Sequence, residues 1–277
     1  MALRTIFFSF LFLALYTVQA QDLKVMSYNI KFDNVNDTVN NWNDRKTDMV
    51  KLLKHYAPEF IGMQEVLYRQ LTYLDGALED YNSIGVGRDD GKKKGEFSPI
   101  LYNSKKFKLI RSNTFWLSPT PDKISVGWDA AMERICTYGL FENKANKQRF
   151  WVFNTHFDHI GTEARERSAA LIVKKIKEIN TDKIPVVLTG DFNLEPDTKP
   201  IQFLKKEMTD GQEASLQPLY GPTGTFSGFD HKRILDRRID YIFIEGLTVL
   251  SYIHIDDRME NNKHISDHLP ILATLKK

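Results

Sequence analysis

Six apolar runs in this chain end in a carboxylate, an amide or an imidazole. Val25-Met-Ser-Tyr leads to Asn29, Ile61-Gly-Met-Gln to Glu65, and Trp151-Val-Phe-Asn-Thr to His156 with Asp158 beyond it. Val186-Val-Leu-Thr-Gly leads to Asp191 and Asn193, Asp240 sits inside Arg238-Ile-Asp-Tyr-Ile-Phe, and Asp267-His268 precede Leu269-Pro270-Ile. One such ending is ordinarily a turn residue or a helix cap. Six of them place hard oxygen donors and imidazoles at the rim of a sheet, where a cleft can form. Donors of that kind suit Mg²⁺, which binds through one or two carboxylates and keeps several waters. The chain has no His-Glu-x-x-His motif, which argues against a zinc protease. Its single cysteine, Cys136, excludes an internal disulfide framework and any Cys-rich zinc site.

The elements that must position these groups follow from the apolar patterning. Leu23 to Ile30, Phe60 to Val66, Tyr81 to Val86, Ser98 to Asn103 and Phe107 to Trp116 read as strands. Ile135 to Glu142 and Arg149 to Thr155 read as a hairpin, and Pro185 to Thr189, Ile239 to Ile244, Thr248 to Ile255 and Leu269 to Leu275 as further strands. A helix through His55 is capped by Asn43 or Asp44, with Met49, Leu52 and Leu53 on its inner face; Leu67 to Leu78 forms another. The clearest helix is Thr162 to Ile179, capped by Thr162 and striped by Leu171, Ile172, Ile176 and Ile179. Ten or eleven strands with few helices suit two packed sheets with helices outside, not an alternating parallel fold.

Composition sets the outer limits. The 277 residues include 38 basic and 36 acidic side chains, so no global field draws the chain to nucleic acid; such binding would need a local patch. The first twenty residues have the layout of a secretory signal peptide: Arg4, an apolar stretch from Thr5 to Tyr16, then Thr17-Val-Gln-Ala20 at a cleavage point. The apolar stretch is too short to span a bilayer comfortably, since a spanning helix needs about 20 residues. The expectation is an exported, soluble protein without stable membrane insertion, with a single domain over residues 21–277.

The motif set resembles one family. Ser27-Tyr-Asn29-Ile, Gly62-Met-Gln-Glu65-Val, Asn154-Thr-His156, Gly190-Asp191-Phe-Asn193, Arg238-Ile-Asp240-Tyr and Ser266-Asp267-His268-Leu-Pro270 stand in the order of the endonuclease/exonuclease/phosphatase superfamily. The resemblance implies a four-layer αββα sandwich, with two mixed sheets packed face to face inside helices and built as two similar halves. It implies hydrolysis of a phosphoester assisted by Mg²⁺ or Mn²⁺. Residue by residue, Glu65 matches the main metal ligand, Asn29 an amide holding the metal or its water, and Asp267 a second carboxylate at the metal end. Asp191 and Asn193 match the pair that orients the attacking water and a phosphate oxygen. His268 matches the essential histidine, Asp240 the carboxylate that orients its ring, and His156 a phosphate-binding histidine of one branch.

Phosphate esters repel anionic nucleophiles, so such a site must neutralise oxygens and position water in line. Sequence leaves open whether Asp191 or His268 takes the water's proton; Asp191 as base with the His268–Asp240 pair stabilising phosphate is the preferred reading. The substrate is open as well. Asn154-Thr-His156-Phe-Asp158-His159 resembles the sphingomyelinase, deadenylase and phosphatase branches, which leaves a phosphodiesterase (nuclease-like, or acting on a head-group or nucleotide) ahead of a phosphomonoesterase. A non-catalytic exported binding module is the remaining alternative, and the complete motif set argues against it. The segment from Ser125 to Thr137 resembles exported bacterial members. Trp128 could stack on a base or sugar and Arg134 could grip a phosphate, with a loop anchor and a surface ion pair as equally weighted alternatives. Nucleic acid is a possible partner, and the chain is expected to be a monomer.

Overall fold

Inward-facing apolar residues on two sets of strands set the architecture. The computed structural model describes residues 22–277; the signal peptide expected over residues 1–20 lies outside them. In chain order the elements are β1 (Leu23–Asn29), α1 (Trp42–Tyr56), β2 (Phe60–Gln64), α2 (Tyr68–Ala77), β3 (Tyr81–Ile84), β4 (Ile100–Asn103), β5 (Phe107–Trp116) and β6 (Ile135–Asn143). They continue with β7 (Arg149–His156), α3 (Thr162–Ile179), β8 (Val186–Asp191), α4 (Lys199–Glu207), β9 (Thr209–Asp210), β10 (Asp240–Glu245), β11 (Thr248–His254) and β12 (Ile271–Lys276).

The strands form two six-stranded mixed sheets, ordered β11-β12-β1-β2-β4-β3 and β5-β6-β7-β8-β10-β9. Each has one parallel pair at its centre, β1 with β2 and β7 with β8, and every other pairing is antiparallel. A parallel pair needs a crossover, and α1 and α3 supply the two. The sheets therefore repeat one plan: a hairpin, a β-α-β crossover, a second helix, and a final antiparallel pair. This is the expected construction from two similar halves. Asn29 and Gln64 end the first parallel pair, and His156 and Asp191 end the second.

Three apolar clusters make the four layers. Val25, Phe60, Phe141, Val152, Val187, Ile242 and Ile271 fill the space between the sheets. Met49, Leu53, Leu71 and Leu74 pack α1 and α2 on the outer face of the first sheet, while Ile172, Ile176, Ile201 and Leu204 do the same for α3 and α4 on the second. Above the middle layer, toward the site, the contact between sheets turns polar. Gln64 Nε2 donates to Asn154 Oδ1 at 2.7 Å, and Thr189 Oγ1 donates to the same oxygen at 3.0 Å. Asn154 Nδ2 donates to the carbonyls of Met63 at 2.6 Å and Pro99 at 2.9 Å. All three side chains are fully buried, so each hydrogen bond replaces water that cannot reach them.

Helix starts differ from expectation in ways that bear on the site. Helix α1 begins one turn edge earlier, with Asn41 as cap accepting from Asp44 N at 3.2 Å. Thr162 does not cap α3. Gly161 holds that position, and Asp129 from a distant loop accepts from Ala164 N at 2.6 Å and Glu163 N at 3.2 Å. A cap supplied from another part of the chain leaves no local spacing to read. Helix α4, with Pro200 in its first turn, and the two-residue β9 were not expected from the patterning.

Gly62 lies where the polar layer is tightest. A Cβ there would stand 2.0 Å from Thr189 Oγ1 and 2.6 Å from Asn154 Oδ1. Asn154 Oδ1 is locked in the inter-sheet hydrogen bond from Gln64, and Thr189 Oγ1 is bonded to Asn154 within the second sheet, so neither can give way without breaking a hydrogen bond. Gly62→Ala should destabilise the fold by about 1–3 kcal/mol or more, measured by chemical denaturation. Unchanged stability would mean that the two sheets separate freely at this level.

Candidate active site

Asn29 ends β1 and is fully buried. Its Nδ2 donates to Glu65 Oε1 at 3.1 Å and to Asp191 Oδ2 at 2.9 Å, joining a carboxylate from each half of the molecule. Its Oδ1 accepts from Lys31 N at 3.1 Å. Asn29 therefore acts here as a clamp between two acids, with its oxygen already engaged. Glu65 follows β2 in a left-handed conformation (φ 59°), and its other oxygen accepts from Phe32 N at 3.2 Å. That costly backbone turn aims the carboxylate back across the sheet end.

The loop after β1 is pinned from behind. Arg45 on α1 is buried and donates to the carbonyls of Ile30 and Ile265, both at 2.9 Å, and of Lys31 at 3.2 Å. It thereby ties the loop carrying Lys31 to the one carrying Asp267 and His268. Lys31 reaches forward, with Nζ 3.5 Å from Glu65 Oε2 and 3.3 Å from Asp267 Oδ2. These two carboxylates thus converge on one cation-sized position. Two carboxylates facing one position, with open cavity beside them, fit a hard divalent cation that keeps its remaining waters. Mg²⁺ or Mn²⁺ would be held by Glu65 and Asp267, and Asn29 would fix Glu65 in place.

A second acidic group lies alongside. Ligand atoms of Asp191, Asp240 and His268 lie within 4.8 Å of one another. His268 Nδ1 is 2.9 Å from Asp240 Oδ2, and its Nε2 is 3.6 Å from Asp191 Oδ2. Burial works against a charged ring, but Asp240 and then Asp191 outweigh it and raise His268 to about 10. A protonated His268 therefore already balances this trio. Thr225 Oγ1 donates to Asp240 Oδ2 at 2.6 Å, and Phe226 packs edge-on against the His268 ring at 4.9 Å. Asp191 is itself buried, and desolvation is the main cause that pushes its carboxyl up to about 7, the range in which a carboxylate serves best as a general base.

Asn193, also left-handed (φ 52°), donates from Nδ2 to Phe157 O at 3.1 Å and lies 3.1 Å from His156 Nε2. His156 Nε2 is also 3.5 Å from Asp191 Oδ2. Burial, then Arg134 and Arg88, hold His156 well below the usual imidazole range, so this ring is neutral.

These side chains line a cavity of about 490 Å³, a size that suits a small ligand. Its wall includes the expected Glu65, Arg134, His156, Asp191, Asn193, Asp267 and His268, with Asn29 and Asp240 behind it. Arg134 is buried, not the surface ion pair weighed against its binding role: Nε is 3.4 Å from Asp158 Oδ2 and Nη2 is 3.1 Å from His159 Nδ1. Trp128 is not on the wall. It is half-buried and left-handed (φ 49°) in the loop whose next residue, Asp129, caps α3. Lys31, Arg88, Glu96, His159 and Phe226 are on the wall and were not singled out in the sequence. Arg88 and Glu96 come from the turn-rich stretch between β3 and β4, where no strand end marks them.

The pattern of the Endonuclease/Exonuclease/phosphatase family matches residues 26–268, a span that contains every residue of this cluster. The chain belongs to this family. Its relatives include a mannosyl-6-phosphatase of Bacteroides thetaiotaomicron VPI-5482, 36% identical, with a TM-score of 0.89 over 92% of this chain and 100% of that one. An uncharacterized protein of Acanthamoeba polyphaga mimivirus is 28% identical over 90% of this chain and 98% of its own length. A CCR4-Not complex 3'-5'-exoribonuclease subunit of Mycosarcoma maydis is 23% identical over 84% of this chain but only 42% of its own length. Phosphoester hydrolysis is the chemistry of the family.

The Asp240–His268 contact makes a prediction about coupling. Asp240 is fully buried, and its acceptor Oδ2 serves both Thr225 and the ring. Asp240→Asn and His268→Ala should each reduce turnover severely, and the double variant should be little worse than His268→Ala alone. Steady-state kinetics of the three variants decide it, because multiplied losses would separate the two residues.

Proposed function

We propose that this chain is a divalent-metal-dependent hydrolase of phosphoester bonds, using Mg²⁺ or Mn²⁺. One observation carries the reading: Asp191, a carboxylate near neutrality, stands 2.9 Å from the Asn29 clamp and 3.6 Å from His268. A base, a fixed cationic ring and a paired-carboxylate site for the metal thus meet at one cavity wall. When bound, the metal polarises a phosphoryl oxygen and neutralises developing charge.

Asp191 holds the attacking water and accepts its proton as the new P–O bond forms. The backbone N–H of Asn193 donates to Asp191 Oδ1 and Asn29 Nδ2 to its Oδ2, both at 2.9 Å, so both oxygens of the base are fixed in place. His268, held protonated by Asp240, donates from Nε2 to a phosphate oxygen as the bond to the leaving oxygen breaks. The leaving alkoxide takes a proton from solvent water, Asp191 returns the proton it accepted to solvent, and inorganic phosphate or a phosphomonoester departs. Preorganised donors of this kind cost no reorganisation at the moment of reaction.

The family's nucleases keep a phosphodiester substrate in view, whereas the mannosyl-6-phosphatase relative, all of whose length is matched by 92% of this chain, favours a phosphomonoester. The protein is further proposed to be a monomer exported after cleavage near Ala20. N-terminal sequencing of the exported protein should give Gln21 or Asp22; an intact Met1 would refute that.

The metal assignment has its own test. Glu65→Gln keeps the side chain's shape and one of its two accepted hydrogen bonds but removes one of the two convergent charges. It should remain folded and lose most Mg²⁺-dependent activity. Full activity with an unchanged Mg²⁺ titration would remove Glu65 from the metal site.

A further inference from the structure

The repeat of the two halves gives Arg134 a counterpart. In the first sheet Ile271 lies opposite Ser27, two residues before Asn29; in the second Thr137 lies opposite Asn154, two residues before His156. Asn29 therefore corresponds to His156, and His268, three residues before Ile271, corresponds to Arg134, three residues before Thr137. Each half thus delivers one cationic side chain to the same rim. The first half delivers an imidazole ring held through Nδ1 by Asp240. The second delivers a guanidinium whose Nη1 is not engaged.

Arg134 is 5% exposed, and its Nη1 has no hydrogen-bond partner. Nearby, Arg88 spends Nη1 and Nη2 on Glu96, at 2.9 and 3.2 Å, while its Nε has no hydrogen-bond partner and lies 3.6 Å from Asp89 Oδ1. His156 Nδ1 is also unpartnered, 3.9 Å from Glu96 Oε2. These three nitrogens belong to residues on the wall of one cavity, which Glu96 also lines. A buried guanidinium N–H without an acceptor is costly, so this end of the cavity is built for a ligand that brings acceptors.

We propose that Arg134, supported by Arg88, binds the third non-bridging oxygen of a terminal phosphate, so that the enzyme is selective for phosphomonoesters over phosphodiesters. This inference rests on the phosphoester-hydrolase reading and narrows it. A monoester carries about −1.5 to −2 charge at neutral pH and three free acceptor oxygens; a diester carries one charge fewer and only two. In a diester, the position of the third oxygen is an ester oxygen bearing carbon. Its substituent would press on the Arg134 guanidinium and leave the buried donors unmet, which is how a site rejects an analogue that lacks a required polar group. The planar guanidinium fork suits phosphate oxygens and cannot be neutralised by deprotonation.

The test compares 4-nitrophenyl phosphate with bis(4-nitrophenyl) phosphate at saturating Mg²⁺, for the full chain and two variants. Arg134→Lys keeps the charge beside Asp158, and Arg88→Gln changes a less buried partner, so a folding failure of one leaves the other informative. The unaltered enzyme should prefer the monoester in kcat/KM. Each variant should lower the monoester-to-diester ratio of kcat/KM by about 10–100-fold, the weight of one or two charge-assisted hydrogen bonds. Inhibition by inorganic phosphate should weaken in parallel. A preference of the unaltered enzyme for the diester, or an unchanged ratio in both variants, overturns the inference while leaving phosphoester hydrolysis intact. Hydrolysis of neither substrate would instead bring down the broader reading.

Discussion

One amide group holds the two halves of the site together. Asn29 Nδ2 has two hydrogens, and they go to carboxylates from different sheets, Glu65 and Asp191. Its remaining polar atoms are also committed: Oδ1 to Lys31 N, and its carbonyl oxygen to Ser266 Oγ at 2.7 Å. An amide is the only neutral side-chain type that can donate twice in a plane and still accept. A lysine would overcompensate the charge, and a carboxylate would repel both partners. The polar layer beneath, made of Gln64, Asn154 and Thr189, fixes the separation of the sheets that this bridge must span.

Charge balance follows from that bridge. Glu65 and Asp267 share the Lys31 ammonium, while Asp191 and Asp240 share the proton of His268. Four acids are thus sorted into two pairs, each neutralised differently. The Glu65–Asp267 pair faces a mobile cation on a flexible stem, which a divalent ion can displace. The other pair encloses a ring fixed by Asp240, Thr225 and Phe226, which suits proton handling and anion binding. Separating the two roles lets Asp191 remain near neutrality next to a strongly charged neighbour.

Much of this was legible in the sequence because the site is made from strand ends. Asn29, Glu65, His156, Asp191 and Asp240 each terminate or begin an apolar run, and their common rim follows from two parallel pairs running the same way. The hydrophobic patterning likewise gave the two-sheet sandwich, since inner and outer faces of each strand differ. What stayed hidden depends on contacts between distant segments. Asp129 caps α3 from 33 residues before its first helical residue, and its neighbour Trp128 is not on the cavity wall. Arg88 and Glu96 lie in a glycine-rich stretch with no periodicity, and only the fold brings them beside His156. Lys31 reads as an ordinary surface charge until the carboxylates on either side of it are known.

The location of the metal tests the whole arrangement most directly. Crystals soaked in Mn²⁺ and measured at the manganese absorption edge would give an anomalous peak at the ion itself. We expect that peak between the Glu65 and Asp267 carboxylates, with the Lys31 ammonium displaced and Asn29 still bridging Glu65 to Asp191. A peak among Asp191, Asp240 and His268 instead would contradict the division of the four acids into a metal-holding pair and a proton-holding pair.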